Sequence, residues 1–306
     1  MVPGELVSVG HHDKGERQMN IKQLLVNLGK LLLCSLAFIL GAVIGGMAAA
    51  LLGLQQPSMP EGVDTSLAFL LLLLESPVLA LALALVARGL GGGLLPRALI
   101  LAFFTWVAYT LNTAIESVAF TTTTVAGALF TTVSFLVPSV SCGTVTALLF
   151  ASGEKGKSLA AIARDFFDRR TAGAWGWRIA VAAVAFVPIY LFFGSLVAPV
   201  TAGYFQQSLY GLRQPDPNEM LVVLSVRSVL FLFACLPIVI VWQRSKRRLF
   251  LSLSFALFVL VGFLYMLGAY YMPLAVRIPH TLEILADSLV YAGVLVAILA
   301  GRSVHL

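Results

Sequence analysis

Four carboxylic acids lie inside long apolar stretches of this chain: Glu75, Glu116, Glu283 and Asp287. Asn112, Arg227 and His280 accompany them. On insertion scales a charged group at bilayer depth costs about 2.5–3.5 kcal/mol, which makes each such residue a functional candidate by default. Spacing sorts the seven. Asn112 and Glu116 are four apart and share a helix face, while His280, Glu283, Asp287 and Tyr291 recur at three, four and four and form one stripe. A stripe on one helix facing a pair on another is how helical bundles build internal sites.

Charge balance states what such a site would take. Four carboxylates against one arginine leave about three uncompensated negative charges if all ionise. Desolvation and like-charge repulsion both oppose that state. Some acids must then hold protons, or a cation must share the site. The set reads as an acidic cavity for a proton, a metal ion or an organic cation. Imidazole with carboxylates is an established ligand combination, so His280, Glu283 and Glu116 are the candidate metal ligands, and proton coupling or a divalent cation is the implied cofactor chemistry.

Each residue also has a plainer reading. Glu283 just after Pro279 reads as a first-turn acid favoured by the helix dipole. His280 reads as an interfacial residue, Arg227 as a tie to Asp287 or Glu75, and Glu116 with Asn112 as an interhelical clamp. Glu75, followed by Ser76 and Pro77 at an expected kink, is the hardest to explain as structure.

The elements that must position these groups follow from hydropathy. The 306 residues are 59% hydrophobic and 11% charged, with mean hydropathy +0.96. A soluble domain carries about 25% charged residues. The composition therefore excludes a soluble enzyme, a disordered chain and a nucleic-acid-binding domain. A crossing helix needs about 20 apolar residues. Eight stretches qualify: 24–54, 67–86, 98–120, 125–150, 179–200, 220–242, 249–271 and 280–300. The expected fold is an all-α polytopic membrane bundle, with a tail over 1–23 and a single transmembrane domain over 24–306. The first stretch is too long, and too deep behind a polar segment, for a cleavable signal peptide.

Orientation follows from the basic residues. Lys14, Arg17, Lys22, Lys30, Arg88, Arg97, Lys155, Lys157, Arg164, Arg169, Arg170, Arg178, Arg244, Lys246, Arg247, Arg248 and Arg302 all fall in alternate segments. The opposite loops hold only Arg213 and Arg277. By the positive-inside rule both termini face the cytoplasm, against anionic lipid headgroups. The acids then lie in the outer half of the bilayer. Short loops suggest a bacterial inner membrane. The loop after the fourth span should carry an amphipathic interfacial helix over about 158–170, capped by Ser158 and followed by Trp175 and Trp177 at headgroup level.

Other signals are weak. The run Gly153-Glu154-Lys155-Gly156-Lys157-Ser158 lacks the first glycine and the preceding strand of a phosphate loop, so no nucleotide is expected. Cys34, Cys142 and Cys235 read as buried thiols and His11 and His12 as solvated. Gly41, Gly45, Gly46 and Ala50 read as a close helix contact. The fourth span is rich in hydroxyls around Pro138; Thr131, Ser134, Pro138 and Ser141 share a stripe that lines a polar pathway or simply packs. No internal repeat stands out, although four plus four spans permit a parallel duplication.

The first functional expectation is a transporter or a proton- or ion-coupled membrane protein. The alternatives are a membrane-embedded metal-dependent enzyme at the outer leaflet, and a subunit or sensor.

Overall fold

The computed structural model describes residues 21–57, 63–151 and 158–300. His11, His12, Lys14, Arg17, Arg302 and the residues 153–157 of the phosphate-loop-like run lie outside the described residues. Those described contain no strand, and eight helices are long and apolar enough to cross a membrane. The protein is an all-helical, multi-pass membrane bundle.

The first two spans are α1 (Ile21–Leu51) and α2 (Thr65–Ala87). The third joins α3 (Leu94–Thr105) through a π-helical turn, Trp106–Leu111, to α4 (Asn112–Phe120). The fourth is α5 (Val125–Ser134) with α6 (Leu136–Phe150), and a short helix α7 (Leu159–Phe167) follows. The fifth is α8 (Ala172–Val184) with α9 (Phe186–Gln206), and the sixth is α10 (Pro217–Val241). The seventh joins α11 (Lys246–Phe258) through a second π-helical turn, Val259–Phe263, to α12 (Leu264–Gly268), and the eighth is α13 (Leu274–Leu299).

Proline explains two of the breaks. Pro138 and Pro188 have no N–H to donate to residues 134 and 184, which are the last residues of α5 and α8. In α2 the same defect is healed: Pro77 frees the Leu73 carbonyl, and Ser76 Oγ donates to it at 3.2 Å. The helix runs on through the expected kink.

Two sequence expectations need correction. The last span begins at Leu274, not His280, so Pro279 sits inside the helix and Glu283 is ten residues in. The helix dipole acts only over the first turn and does not account for this acid. The amphipathic helix forms as α7, with Ser158 capping it by accepting from the Ala161 N–H, but Trp175 does not stand free at headgroup level after it. Phe166 of α7 is buried and stacks on Trp175 at 4.7 Å, and Trp175 Nε1 donates to the Phe167 carbonyl at 2.8 Å. Trp175 is a packing plug, while Trp177 is exposed.

The structure also reveals the duplication that the sequence hides. The helix α1 packs on α2 and α6, as α9 packs on α10 and α13. The helix α3 packs on α6, as α11 packs on α13. Between the halves, α2 meets α11 as α10 meets α3, and the two π turns touch. Spans one to four thus correspond to spans five to eight, in the same direction. Registers agree. Asp64 and Asp216, 152 positions apart, cap α2 and α10 in the same way, each accepting from the second and third N–H groups. Leu90 and Trp242, again 152 apart, form an antiparallel bridge with each other. Gly91 N–H donates to the Val241 carbonyl at 2.8 Å and Gln243 N–H to the Gly89 carbonyl at 2.9 Å. A residue that pairs with its own counterpart marks a two-fold axis.

Candidate functional site

Among the described residues Arg227 is the largest fully buried side chain, with 1% of its surface exposed. Its Nη2 donates to Glu116 Oε2 at 2.7 Å and its Nε to Asn112 Oδ1 at 3.4 Å. The rings of Phe186, Tyr190 and Phe231 lie 5.6, 5.6 and 5.7 Å from the guanidinium carbon. Aromatic faces and one carboxylate thus replace the water that this cation lost. The expected partners, Asp287 or Glu75, are not the ones found. The π turn helps to set this pair: by adding a residue to one helical turn it rephases the helix behind it, and Asn112 and Glu116 follow directly.

On α13, His280 Nδ1 lies 2.7 Å from Glu283 Oε2. The contact is off the line of a directed hydrogen bond, and both atoms are buried without a hydrogen-bond partner. Deeper in the bundle, Asp287 Oδ1 and Arg227 Nη1 are also buried without partners. Asp287 lies thirteen residues from the helix start, about 20 Å along the axis. The stripe therefore reaches the middle of the bundle rather than staying in one half.

These groups end a cavity of about 420 Å³. Its walls come from α4, α9, α10, the second π turn, α12 and α13, and Gln214, Pro215 and Met272 line it at the end away from the basic loops. Glu116, His280 and Glu283 line it, while most other contributors are apolar. A chamber of about 20 Å³ behind it is lined by the same three residues together with Arg227 and Asp287. That volume suffices for one water molecule. Side-chain exposure falls along this path, from 23% for Glu116 and 19% for His280 to 2% for both Glu283 and Arg227.

The two halves differ where the cavity lies. In the first half a Cβ on Gly45 would land on the Ser134 carbonyl, and one on Gly41 would meet the Pro138 backbone and Ser141 Oγ. Span one therefore lies tight on span four. The counterparts, 149 positions later, are Gly194 facing Glu283 and Tyr190 facing Asp287. A Cβ on Gly194 would lie 3.1 Å from Glu283 Oε1. Tyr190 stands where Gly41 lets the first pair close, and its ring lines both cavities. Neither Tyr190 nor Gly194 was legible as a site residue, because their role is the mismatch between two halves whose sequences have diverged. Tyr265, also in the cavity wall, gave no signal either.

Glu75 is not part of this cluster. It is buried but lines neither cavity. Its Oε1 lies 3.1 Å from where a Cβ on Gly268 would be. Glu75 and Gly268 are the counterparts, 152 positions earlier and later, of Arg227 and Glu116. The same contact thus holds an ion pair in one place and a lone acid in the other.

Among the described residues no three His, Cys, Asp or Glu side chains converge closely enough to hold a metal ion. Glu116, expected beside His280 and Glu283, is turned onto Arg227 instead. The rim arginines are engaged as well. Arg277 donates to the Met266 and Leu267 carbonyls at the end of α12, and Arg213 to those of Val118 and Ala119 at the end of α4 and to Glu219. The hydroxyl stripe of the fourth span packs rather than lines a path. Thr131 and Ser134 bond carbonyls of their own helix, Ser141 bonds Ala37 on α1 at 2.8 Å, and none of them lines either cavity. The three cysteines are buried and free.

No protein family, curated protein or solved structure matches the chain.

Proposed function

We propose that the protein is a transporter that takes a small solute into the cavity between α9 and α13, with a proton held at its base by the pair of His280 and Glu283. The observation that carries this reading is a cavity of about 420 Å³ that ends on the His280–Glu283 contact, with Asp287 Oδ1 and Arg227 Nη1 left without a hydrogen-bond partner among the described residues in the small chamber behind it. Polar groups left unpaired in a low-dielectric interior are costly, and a site that binds a polar solute keeps them for that solute. The repeated architecture supports the same reading. Parallel repeats about an axis along the bundle are a recurrent transporter plan, in which one half rocks against the other.

In this proposal Asn112, Glu116, Arg227, His280, Glu283 and Asp287 form the site, and Glu75 stands outside it. The basic loops and both termini face the cytoplasm, against anionic headgroups of a bacterial inner membrane, and the cavity opens on the other side.

Counterflow in proteoliposomes tests the reading, using a panel of small amines and their neutral analogues. At least one solute should exchange through the native protein. Gly194→Leu, which pushes a side chain at Glu283, should insert normally and stop the exchange. Exchange that persists in Gly194→Leu, or a panel that never exchanges, would contradict it.

A further inference from the structure

We propose that the cavity selects an organic cation with an apolar body, and that this cation and a proton compete for one carboxylate, that of Glu283. The inference rests on the transport reading and names its substrate class.

The chemistry of the walls decides the class. Among the described residues no Lys or Arg lines the larger cavity; its charged or protonatable contributors are Glu116, His280, Glu283, Tyr190 and Tyr265. Glu116 already serves Arg227. Glu283 is the acid with capacity left: its Oε2 is buried, touches His280 and has no directed hydrogen bond, and its Oε1 faces the open space beside Gly194. An ammonium group there would gain a charge-assisted hydrogen bond. Val197, Ala198, Ala202 and Met220 line the cavity farther out and offer the rest of the molecule an apolar sleeve. An anion would meet the carboxylates of Glu116 and Glu283, with the Arg227 guanidinium held behind them on Glu116. A neutral solute would leave Glu283 unsatisfied.

Competition follows from the His280 contact. With imidazolium against carboxylate, the pair is neutral. Arrival of an ammonium at Glu283 adds a positive charge beside His280 in a dry site. The imidazolium then gives its proton to solvent, leaving neutral His280 and an ammonium–carboxylate pair. One cation enters and one proton leaves, so charge at the site is conserved. The other groups facing Glu283 are Glu116 on α4, Tyr190 on α9, Arg227 on α10, Tyr265 on α12 and Asp287 on α13. In this scheme Arg227 and Glu116 remain a closed pair, so the exchange is confined to His280 and Glu283.

Titration of the full-length protein in detergent with tryptamine, tryptophol and indoleacetate tests the proposal, because the three share a ring and differ in charge. Tryptamine should bind at least about tenfold more tightly than the other two. Its binding should release protons into a weakly buffered solution, and its affinity should rise with pH while that of tryptophol stays flat. Glu283→Gln should lose the preference and the proton release. If that variant fails to fold, the pH dependence in the native protein and the loss of binding in Gly194→Leu, which keeps every titratable group, still decide the matter. Tryptophol binding as tightly as tryptamine, at the same site blocked by Gly194→Leu, would overturn the cation inference and leave the transport reading intact. If no indole binds, or if Gly194→Leu binds all three unchanged, both fail.

Discussion

Tyr190 occupies in the second half of the bundle the position that Gly41 holds in the first, 149 residues earlier. At Gly41 two helices touch through backbone; at Tyr190 the ring lines a cavity between them. If the ring keeps that cavity open, its bulk matters and its hydroxyl does not. Tyr190→Phe should keep cavity binding within about twofold, whereas Tyr190→Gly should lose it even though Glu116, His280 and Glu283 remain. Tyr190 also faces the Arg227 guanidinium, so the glycine variant forfeits a cation–π contact worth about 1 kcal/mol as well. Binding titrations on both variants, alongside thermal unfolding, separate the two effects.

The pair of Arg227 and Glu116 should behave as a buried ion pair. Removing one partner strands the other, at a cost of about 3–5 kcal/mol. Arg227→Met should therefore lower the unfolding temperature sharply. The double variant Arg227→Met/Glu116→Gln should recover most of that loss, because no uncompensated charge remains. Thermal unfolding of the single and double variants measures the coupling directly, and additive losses would mean that the pair is not coupled.

Gly45 and Gly46 are neighbours in sequence with opposite surroundings. A Cβ at Gly45 collides with the Ser134 carbonyl, while one at Gly46 meets nothing within 4 Å. Gly45→Leu should destabilise the protein by forcing α1 off the fourth span, and Gly46→Leu should be close to neutral. Comparing their unfolding temperatures in detergent checks this, and equal effects would remove the close-contact argument.

These cases show where the sequence was legible. The eight spans were, because a bilayer demands long apolar runs whatever the fold. The stripe of His280, Glu283 and Asp287 and the pair of Asn112 and Glu116 were, because helical spacing alone puts them on common faces. What escaped was relational. The partner of Arg227 depends on a π turn that shifts the phase of α4, and no residue type announces such a turn. Glu75 looked like a member of the site because it is an acid at depth, but the two-fold places it opposite Gly268 instead. The duplication was hidden because the matched positions hold unlike residues: an acid for a base at Glu75 and Arg227, a glycine for a tyrosine at Gly41 and Tyr190. Pro279 resembles a helix beginning, but it is Pro273 that precedes the first turn of α13.

Orientation can be checked without any ligand. In a background with Cys34, Cys142 and Cys235 replaced by alanine, Asp168→Cys and Gln207→Cys place single thiols at exposed positions on opposite ends of the bundle. A membrane-impermeant maleimide should label Gln207→Cys in intact cells and Asp168→Cys only after lysis. The reverse pattern would invert the proposed topology and place the cavity on the cytoplasmic side.

The most direct measurement is the internal pH of sealed proteoliposomes while tryptamine is added outside. With the native protein the lumen should become more alkaline in proportion to the amine taken up, as each entering cation exchanges for a departing proton, and Gly194→Leu should abolish the change. Because a neutral amine can also leak through lipid, protein-free vesicles set the baseline. A luminal change no larger than that baseline, or one that survives in Gly194→Leu, would contradict the account.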